Sequence, residues 1–270
     1  MTGATAGSGG VPVYVVDAFT TRAFGGNPAG VCLLDRPMSE AWMAAVAAEM
    51  RHSETAFVDR SEAPFRLRWF TPAVEVALCG HATLAAAHVC IETGIAGAEV
   101  DFATRSGPIA ARRDGARIAL DLPADPASPA APPPGLVTAL GVPPTWVGRS
   151  TEDLAVEVAD ATTLERLAPD LAALATMAPR GVIVSAPGEG AHDVVVRFFA
   201  PALGVPEDPV TGSAQCAIAH RWASRLGRDR ITVRQASARG GLLDVRPAAG
   251  VVEVAGSAVT VLVGRLVAAG

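Results

Sequence analysis

The sequence contains no lysine, and all 22 basic residues of the 270-residue chain are arginine. A pyridoxal-phosphate enzyme needs a lysine for its Schiff base, and a Walker A loop needs one for its phosphates. Both classes are therefore excluded. The formal net charge of −5 argues against nucleic acid or an anionic membrane as a partner.

Cysteine and long apolar runs are also scarce. The four cysteines include no CxxC pair and are too few for a disulfide scaffold, which indicates a reducing compartment. No stretch approaches the ~18 consecutive apolar residues of a membrane span. Residues 1–10 lack the basic and apolar regions of a signal peptide, so we expect them to form a disordered tail. We expect a cytoplasmic protein without a membrane segment.

What the chain does contain is typical of a compact mixed fold. Half of the residues are hydrophobic and 18% are charged, which excludes a disordered chain. Short apolar strand patterns alternate with longer helical ones, so we predict an α/β (α+β) fold. The predicted helices cover residues 39–50, 82–93, 163–175 and 214–222.

A proline-rich segment, DLPADPASPAAPPPG, occupies residues 121–135. Proline lacks the backbone N–H and fixes its own φ, so this composition predicts a segment without regular structure. A surface loop would explain it, but a linker between two domains is favoured. We predict domains at 11–125 and 136–257, with the last strand, near 258–267, a candidate to return to the first.

An internal repeat supports two similar halves. RWFTPA (68–73) matches RFFAPA (197–202) at an offset of 129 (197 − 68), and CGHA (79–82) matches TGSA (211–214) at an offset of 132 (211 − 79). Each copy has a strand, a Pro-Ala corner, an acidic spacer, a glycine turn and an alanine-rich helix. The repeated order predicts a duplication in which each half presents a helix N-terminus.

A helix N-terminus leaves free backbone N–H groups and the positive end of a dipole, which together bind anions. The second of these N-termini begins in EDPVTGSAQCAIAHRW (207–222). If the halves pack face to face, both helix starts point into one cleft. We therefore predict a small-molecule carboxylate as the substrate.

Glu54 and Cys79 are candidate acid/base groups. Glu54 stands at the entrance to an apolar strand, where a raised pKa would suit proton transfer, although a solvated acid fits the same pattern. Cys79 stands at a helix start that would stabilise a thiolate, although a small buried residue fits equally well. Its counterpart in the repeat is Thr211, which counts against a racemase with two thiols.

Other polar residues suggest binding roles. His81 could donate to a carboxylate or carbonyl. Asp208 could bind an amino group or orient another side chain, and a structural role is the alternative for Asp208.

Ser213 is not in a GxSxG elbow, so a hydrolase triad has little support. There is no HExxH and no Cys/His cluster, so we expect no metal. The turn FGGNPAG (24–30) contains glycines but does not follow GxGxxG, so the sequence gives little support for a nucleotide-binding site.

Five motifs carry a family resemblance: VDAFTTRAFGGNPAGV (16–31), SETAFV (53–58), RWFTPAVEVALCGHATLAAAHV (68–89), RFFAPALGVPEDPVTGSAQCAIAHRW (197–222) and QASARGG (235–241). In these motifs the chain resembles the phenazine-biosynthesis (PhzF-like) isomerases, relatives of diaminopimelate epimerase. The resemblance implies two similar domains, each a β-barrel-like sheet around a central helix, with the active site between them. It also implies a homodimer and chemistry without a cofactor.

The resemblance further implies roles for single residues. Glu54 matches the general acid/base, which would move a proton on a dihydro-hydroxyanthranilate-like amino/hydroxy acid. The positions that match substrate-binding residues are Gly80, His81, Asp208, Gly212 and Ser213. Two alternatives stay open at this point. One is an amino-acid or hydroxyproline-type epimerase that uses Cys79, and the other is a protein that binds a small carboxylate without turning it over.

Overall fold

The computed structural model describes residues 10–267, so the predicted tail, apart from Gly10, lies outside the described residues. The strands are β1 (Val11–Ala18), β2 (Asn27–Leu34), β3 (Glu54–Asp59), β4 (Phe65–Phe70), β5 (Glu75–Val76), β6 (Glu99–Thr104), β7 (Gly107–Asp114), β8 (Arg117–Pro123), β9 (Ser128–Pro129), β10 (Trp146–Arg149), β11 (Asp153–Glu157), β12 (Gly181–Pro187), β13 (Val194–Ala200), β14 (Val205–Asp208), β15 (Ile231–Gln235), β16 (Gly241–Ala248), β17 (Val251–Gly256) and β18 (Ala258–Leu266). The helices are α1 (Glu40–Met50), α2 (Gly80–Glu92), α3 (Leu136–Leu140), α4 (Ala161–Glu165), α5 (Leu171–Leu174) and α6 (Ala214–Leu226), with a 3-10 turn at Pro201–Leu203.

The strand pairing of the first half recurs in the second. In the first half, β2–β3 and β4–β6 are parallel, while β3–β4, β4–β5, β6–β7 and β7–β8 are antiparallel. The same sequence of pairings runs from β11 to β17. The prediction of a mixed α/β fold with two repeated units is confirmed, and the repeat seen in the sequence thus has a counterpart in the hydrogen-bond ladder.

Two antiparallel ladders join the halves into one 18-stranded sheet. β8 pairs with β17 over six residue pairs, from Ile118↔Gly256 to Pro123↔Val251. β18 pairs with β1 along almost its whole length, from Val11↔Leu266 to Ala18↔Ala258. The last strand of the chain therefore lies against the first, and the ladders within each half continue into one common sheet.

Each half carries one long alanine-rich helix, α2 or α6, against its strands. α2 contacts β1, β2, β3, β6, β7 and β8, and ten of its residues are buried. α6 packs on β11, β15, β16 and β17. Small side chains allow the strands to approach the helix on several sides, which explains why the alanine-rich segments sit at the centres. Within residues 10–267, no helix is long and apolar enough to cross a membrane.

The predicted helix at 163–175 is instead two short helices, α4 and α5. Pro169 lies between them, and proline cannot donate the backbone hydrogen bond that a continuous helix needs. The side chains of Asp160 and Asp170 each cap one of the two helices by accepting a backbone N–H. The segment is helical as predicted, but the helix is interrupted near Pro169, which the prediction did not include.

The proline-rich segment is more ordered than its composition predicts. Its residues 128–129 form β9 and pair with β10. Upstream, the Asp125 amide donates to the Cys216 carbonyl at 3.2 Å, and the Ala127 amide donates to the Ala217 carbonyl at 2.9 Å. The segment thus lies along the first turns of α6 and is held there by backbone hydrogen bonds.

Candidate active site

The N-termini of α2 and α6 meet at a cleft of about 510 Å³ between the halves. A Cβ atom placed on Gly80 would lie 3.4 Å from the Gly212 Cα and 3.5 Å from the Ser213 amide nitrogen. Glycine at both positions leaves the space between the two segments free of side-chain atoms. Two positive dipole ends therefore converge on the same space, which suits an anion.

Glu54 begins β3 and lines this cleft. Its side chain is 19% exposed, and one carboxylate oxygen lies 3.4 Å from His81 Nε2. Burial raises the pKa of Glu54 to about 7, and the negative charge of Asp208 adds to the rise. Both protonation states are thus populated near neutral pH, as an acid/base group requires.

His81 and Cys79 lie beside Glu54 at the start of α2. The His81 ring stands between two groups, with Nδ1 3.4 Å from the Cys79 sulfur and Nε2 3.3 Å from the Ser53 hydroxyl. Burial lowers the pKa of His81 to about 3, so its ring is neutral. Burial and the charge of Glu54 raise the pKa of Cys79 well above its usual value. Contrary to expectation, burial outweighs the helix dipole, and Cys79 is a thiol rather than a thiolate.

The fold also brings together a donor set that the sequence does not display. Ligand atoms of Glu54, Cys79 and His81 lie within 4.8 Å of one another, although they come from two separate segments. Such oxygen, sulfur and nitrogen donors are those that Zn²⁺ accepts. However, the two ring nitrogens of His81 face different partners, Cys79 on one side and Glu54 on the other. The three lone pairs therefore do not converge on one point.

Asp208 reaches the cleft from the second half, at the end of β14. One of its oxygens accepts a hydrogen bond from Asn27 Nδ2 at 2.9 Å, and the other accepts from the Thr211 hydroxyl. Burial raises the pKa of Asp208 to about 6, while these two hydrogen bonds act in the opposite direction. Thr211, the repeat counterpart of Cys79, thus has its hydroxyl committed to Asp208.

Gln235 and Arg239 hold this part of the site in place. The fully buried Gln235 accepts from the Thr211 amide at 2.9 Å and donates to the Asp208 carbonyl at 2.8 Å. Arg239 crosses to the first half and donates to Asp17 Oδ1 at 2.7 Å. Sequence reasoning found the QASARGG motif that contains both residues but assigned neither a role. The one signal in the sequence that could have indicated a role for them is that QASARGG belongs to the motifs that carry the family resemblance.

Arg180 was missed entirely by the sequence reasoning. It lies just before β12 and lines the cleft, where its Nε donates to Asp153 Oδ1 at 2.9 Å and its Nη1 to the Ser213 hydroxyl at 2.7 Å. The guanidinium carbon also stands 5.3 Å from the centre of the Phe198 ring. No motif surrounds Arg180 in the sequence, because its partners come from three distant segments.

Comparison with protein families places these features in a group. The family model described as phenazine biosynthesis-like protein, PhzC-PhzF, matches residues 16–264. An uncharacterized isomerase of Pseudomonas aeruginosa is 48% identical over 94% of this chain and 97% of its own length. A human phenazine biosynthesis-like domain-containing protein is 39% identical over 96% of this chain and 99% of its own.

Solved structures agree with this grouping. A crystal structure of a PhzF-family phenazine biosynthesis protein from Enterococcus faecalis superposes with a TM-score of 0.90 at 36% identity, covering 95% of this chain and 98% of that one. A probable proline racemase from Agrobacterium radiobacter reaches 0.63 at 11% identity, over 95% and 92% of the two chains. The latter likeness shows a shared fold alone.

Proposed function

The chain belongs to the phenazine biosynthesis-like (PhzC-PhzF) family and is an isomerase, and we propose that it moves a proton on a small amino/hydroxy carboxylic acid. Glu54 would be the acid/base group, without a cofactor. The observation that carries the proposal is the position of Glu54, whose pKa is raised to about 7, in a cleft where two helix N-termini meet.

In the proposed reaction, the Glu54 carboxylate takes a proton from one carbon of an unsaturated substrate and returns it to another carbon on the same face. The double bond shifts as the proton moves, so no electron or atom is gained or lost. The N–H groups at the starts of α2 and α6, including those near Gly80 and Gly212, hold the substrate carboxylate. His81 and Asp208 orient the hydroxyl and amino groups. The substrate class is thus that of a dihydro-hydroxyanthranilate.

An epimerase that uses Cys79 is the second candidate. The observation in its favour is that the Cys79 thiol lies beside Glu54 in the same cleft, so the two could serve as an acid and a base. Thr211, in the matching position of the other half, is engaged with Asp208 and does not supply a second base. A protein that binds a carboxylate without converting it is the third candidate.

Proton NMR in D₂O tests these candidates. The panel comprises a 2-amino-3-hydroxy dihydrobenzoate and simple chiral amino acids, with wild type, Glu54→Gln and Cys79→Ala compared. Cys216→Ala is the matched control, because Cys216 also lines the cleft but stands on α6, and burial raises its pKa to about 12.

We expect deuterium at a new carbon of the unsaturated substrate, lost in Glu54→Gln and kept in both cysteine variants. Loss of chirality at Cα that depends on Cys79 would establish the epimerase instead. Binding that survives Glu54→Gln, with no exchange in any variant, would establish the binding protein.

Two further properties belong to the proposal. We propose a homodimer, supported by the resemblance alone and measurable by sedimentation equilibrium. We also propose a cytoplasmic location, which cell fractionation tests. All four cysteines are buried and free in the part of the chain that the structure describes, as a reducing compartment would leave them.

A further inference from the structure

The cleft has an unusual balance of charge for a site that would take an anion. Its lining contains four carboxylates, those of Glu54, Asp125, Glu152 and Asp208. Among the described lining residues, Arg180 is the single arginine. An anionic ligand approaching these acids meets repulsion that is strong where water is excluded. Arg180 is therefore the one cationic side chain in the described lining, and its contacts decide how it can act on an anionic ligand.

The surroundings of Arg180 fix its guanidinium in one orientation. The buried Asp153 carboxylate on β11 accepts hydrogen bonds from two guanidinium nitrogens of Arg180. The Phe198 ring lies against the face of the same guanidinium. A planar guanidinium held in this way has little freedom to turn. Its Nη1 is left directed at the Ser213 hydroxyl, 2.7 Å away.

Ser213 stands at the N-terminus of α6, and its hydroxyl has a hydrogen without a protein acceptor among the described contacts. It precedes the helix with helical backbone angles (φ −66°, ψ −24°), and its side chain does not cap the helix. A serine hydroxyl has one hydrogen to donate and lone pairs to accept. Since Arg180 can only donate, Ser213 accepts from it and keeps its own hydrogen for another partner. That hydrogen is available to the cleft that Ser213 lines.

We propose that Arg180 is the positioning residue that makes Ser213 a hydrogen-bond donor to the ligand carboxylate, an inference that rests on the proposed function for the class of ligand. Arg180 acts through Ser213 and through its charge. The ligand carboxylate consequently lies at the α6 end of the cleft, next to Ser213. Compounds that lack this carboxylate gain nothing from Arg180.

Two probes that differ only in the carboxylate test the inference by calorimetric titration. 3-Hydroxyanthranilate is the aromatic analogue of the proposed substrate class, and 2-aminophenol is the same molecule without the carboxylate. The variants are Ser213→Ala, Arg180→Lys and the double variant Arg180→Met with Asp153→Leu. The double variant removes both charges, so no buried carboxylate is left unpaired and the fold is retained.

Arg221→Lys is the matched control. Arg221 likewise pairs with a buried carboxylate, that of Glu157, and lies 3.9 Å over an aromatic ring, that of Trp146, but it stands outside the cleft. We expect wild type and Arg221→Lys to prefer 3-hydroxyanthranilate about tenfold or more, the effect of one charge-assisted hydrogen bond. We expect the Arg180 variants to lose the part of that preference that the Ser213 contact supplies, about tenfold, while they bind 2-aminophenol as before. Combined with Ser213→Ala, the Arg180 changes should add little, because both act on one contact.

A readout without ligand completes the test. The charge of Arg180 lowers the pKa of Glu54, so the Glu54 carboxyl should titrate at higher pH in Arg180→Met alone, which keeps Asp153, as followed by carbon-13 NMR. Equal weakening of both probes, additive effects of Arg180 and Ser213, or a wild type without preference for the carboxylate would each overturn the inference. If Glu54→Gln and wild type alike show no proton exchange, the isomerisation fails while the carboxylate preference still decides the role of Arg180.

Discussion

At the scale of single residues, the site depends on how burial changes two carboxylic acids. Glu54 and Asp208 come from different halves, and burial raises the pKa of both, to about 7 and about 6. The charge of Asp208 contributes to the rise at Glu54. Groups whose surroundings move their pKa toward neutrality are candidates for proton transfer. The pKa of Glu54 therefore depends on the charge of Asp208.

The first prediction concerns the pH dependence of proton exchange. If Glu54 must start as a carboxylate, kcat/KM rises with pH through about 7. Asp208→Asn removes a negative charge that raises the pKa of Glu54, so the midpoint should move to lower pH while KM increases. Steady-state kinetics from pH 5 to pH 9 measure this. A midpoint unchanged by Asp208→Asn would contradict the coupling.

The second prediction concerns stability. The unfolded chain ionises Glu54 near its ordinary pKa of 4.5, but the folded protein holds the proton up to about 7. At Glu54 the folded state binds more protons in this window, so the contribution of Glu54 to stability falls as pH rises from about 4.5 to about 7. Glu54→Gln removes this penalty and should be more stable than wild type at pH 8, by roughly 1–3 kcal/mol.

Urea unfolding at pH 4 and pH 8 measures this difference. Glu49→Gln, on the exposed side of α1, is the control and should change the free energy of unfolding by no more than about 0.5 kcal/mol. A Glu54→Gln variant no more stable than wild type at pH 8 would show that Glu54 is not buried at a cost in the folded protein.

At the scale of elements, the contact between α2 and α6 determines the anion site. Gly80 and Gly212 face each other at the two helix N-termini, where a Cβ added to Gly80 would lie 3.4 Å from the Gly212 Cα. Gln235 holds the loop before α6, and Arg239 of the same segment donates to Asp17 in the first half. The helices thus present their free N–H groups at a fixed separation.

The third prediction is that Gly80→Ala blocks this site without unfolding the protein. The new methyl group would stand 3.4–3.5 Å from Gly212, Ser213 and Leu122, which is ordinary contact, and alanine suits a helix better than glycine. We expect binding of 3-hydroxyanthranilate to weaken about tenfold or more, with stability changed by less than about 1 kcal/mol. Gly97→Ala, where a Cβ meets nothing within 4 Å, is the control. A Gly80→Ala variant that binds as tightly as Gly97→Ala would place the ligand elsewhere.

At the scale of the whole molecule, the two halves share their backbone ladders. β8 pairs with β17, and β18 pairs with β1. Separation of the halves would break these hydrogen bonds and also release the proline-rich segment from α6. The boundaries at 125 and 136 stay a prediction, but the ladders argue that the halves unfold together.

The fourth prediction is therefore a single unfolding transition in calorimetry. Leu84→Ala, in the core of the first half, and Leu164→Ala, on α4 in the second, each remove a fully buried side chain and should cost about 2–5 kcal/mol. In one cooperative unit, each variant lowers the same transition temperature. Two transitions, each moved by only one variant, would show that the halves unfold independently.

Much of this protein can be predicted from its sequence because the relevant signals are local. Helix starts, glycine turns and strand patterns depend on a few neighbouring residues, so α1, α2, α6 and the repeated order of elements could be predicted. The repeat also predicted that both halves have the same order of strands and helices. Glu54 was identified from its place before an apolar strand and from the resemblance.

The tertiary structure alone decided what depends on distant contacts. Arg180, Gln235 and Arg239 contact partners from segments far away in the sequence, which no local pattern encodes. The thiol state of Cys79 likewise follows from burial, a property of the packed protein and not of the helix start that contains it. Local chain preferences act over a few residues, whereas the charge and desolvation that set the chemistry of the cleft arise only when both halves close around it.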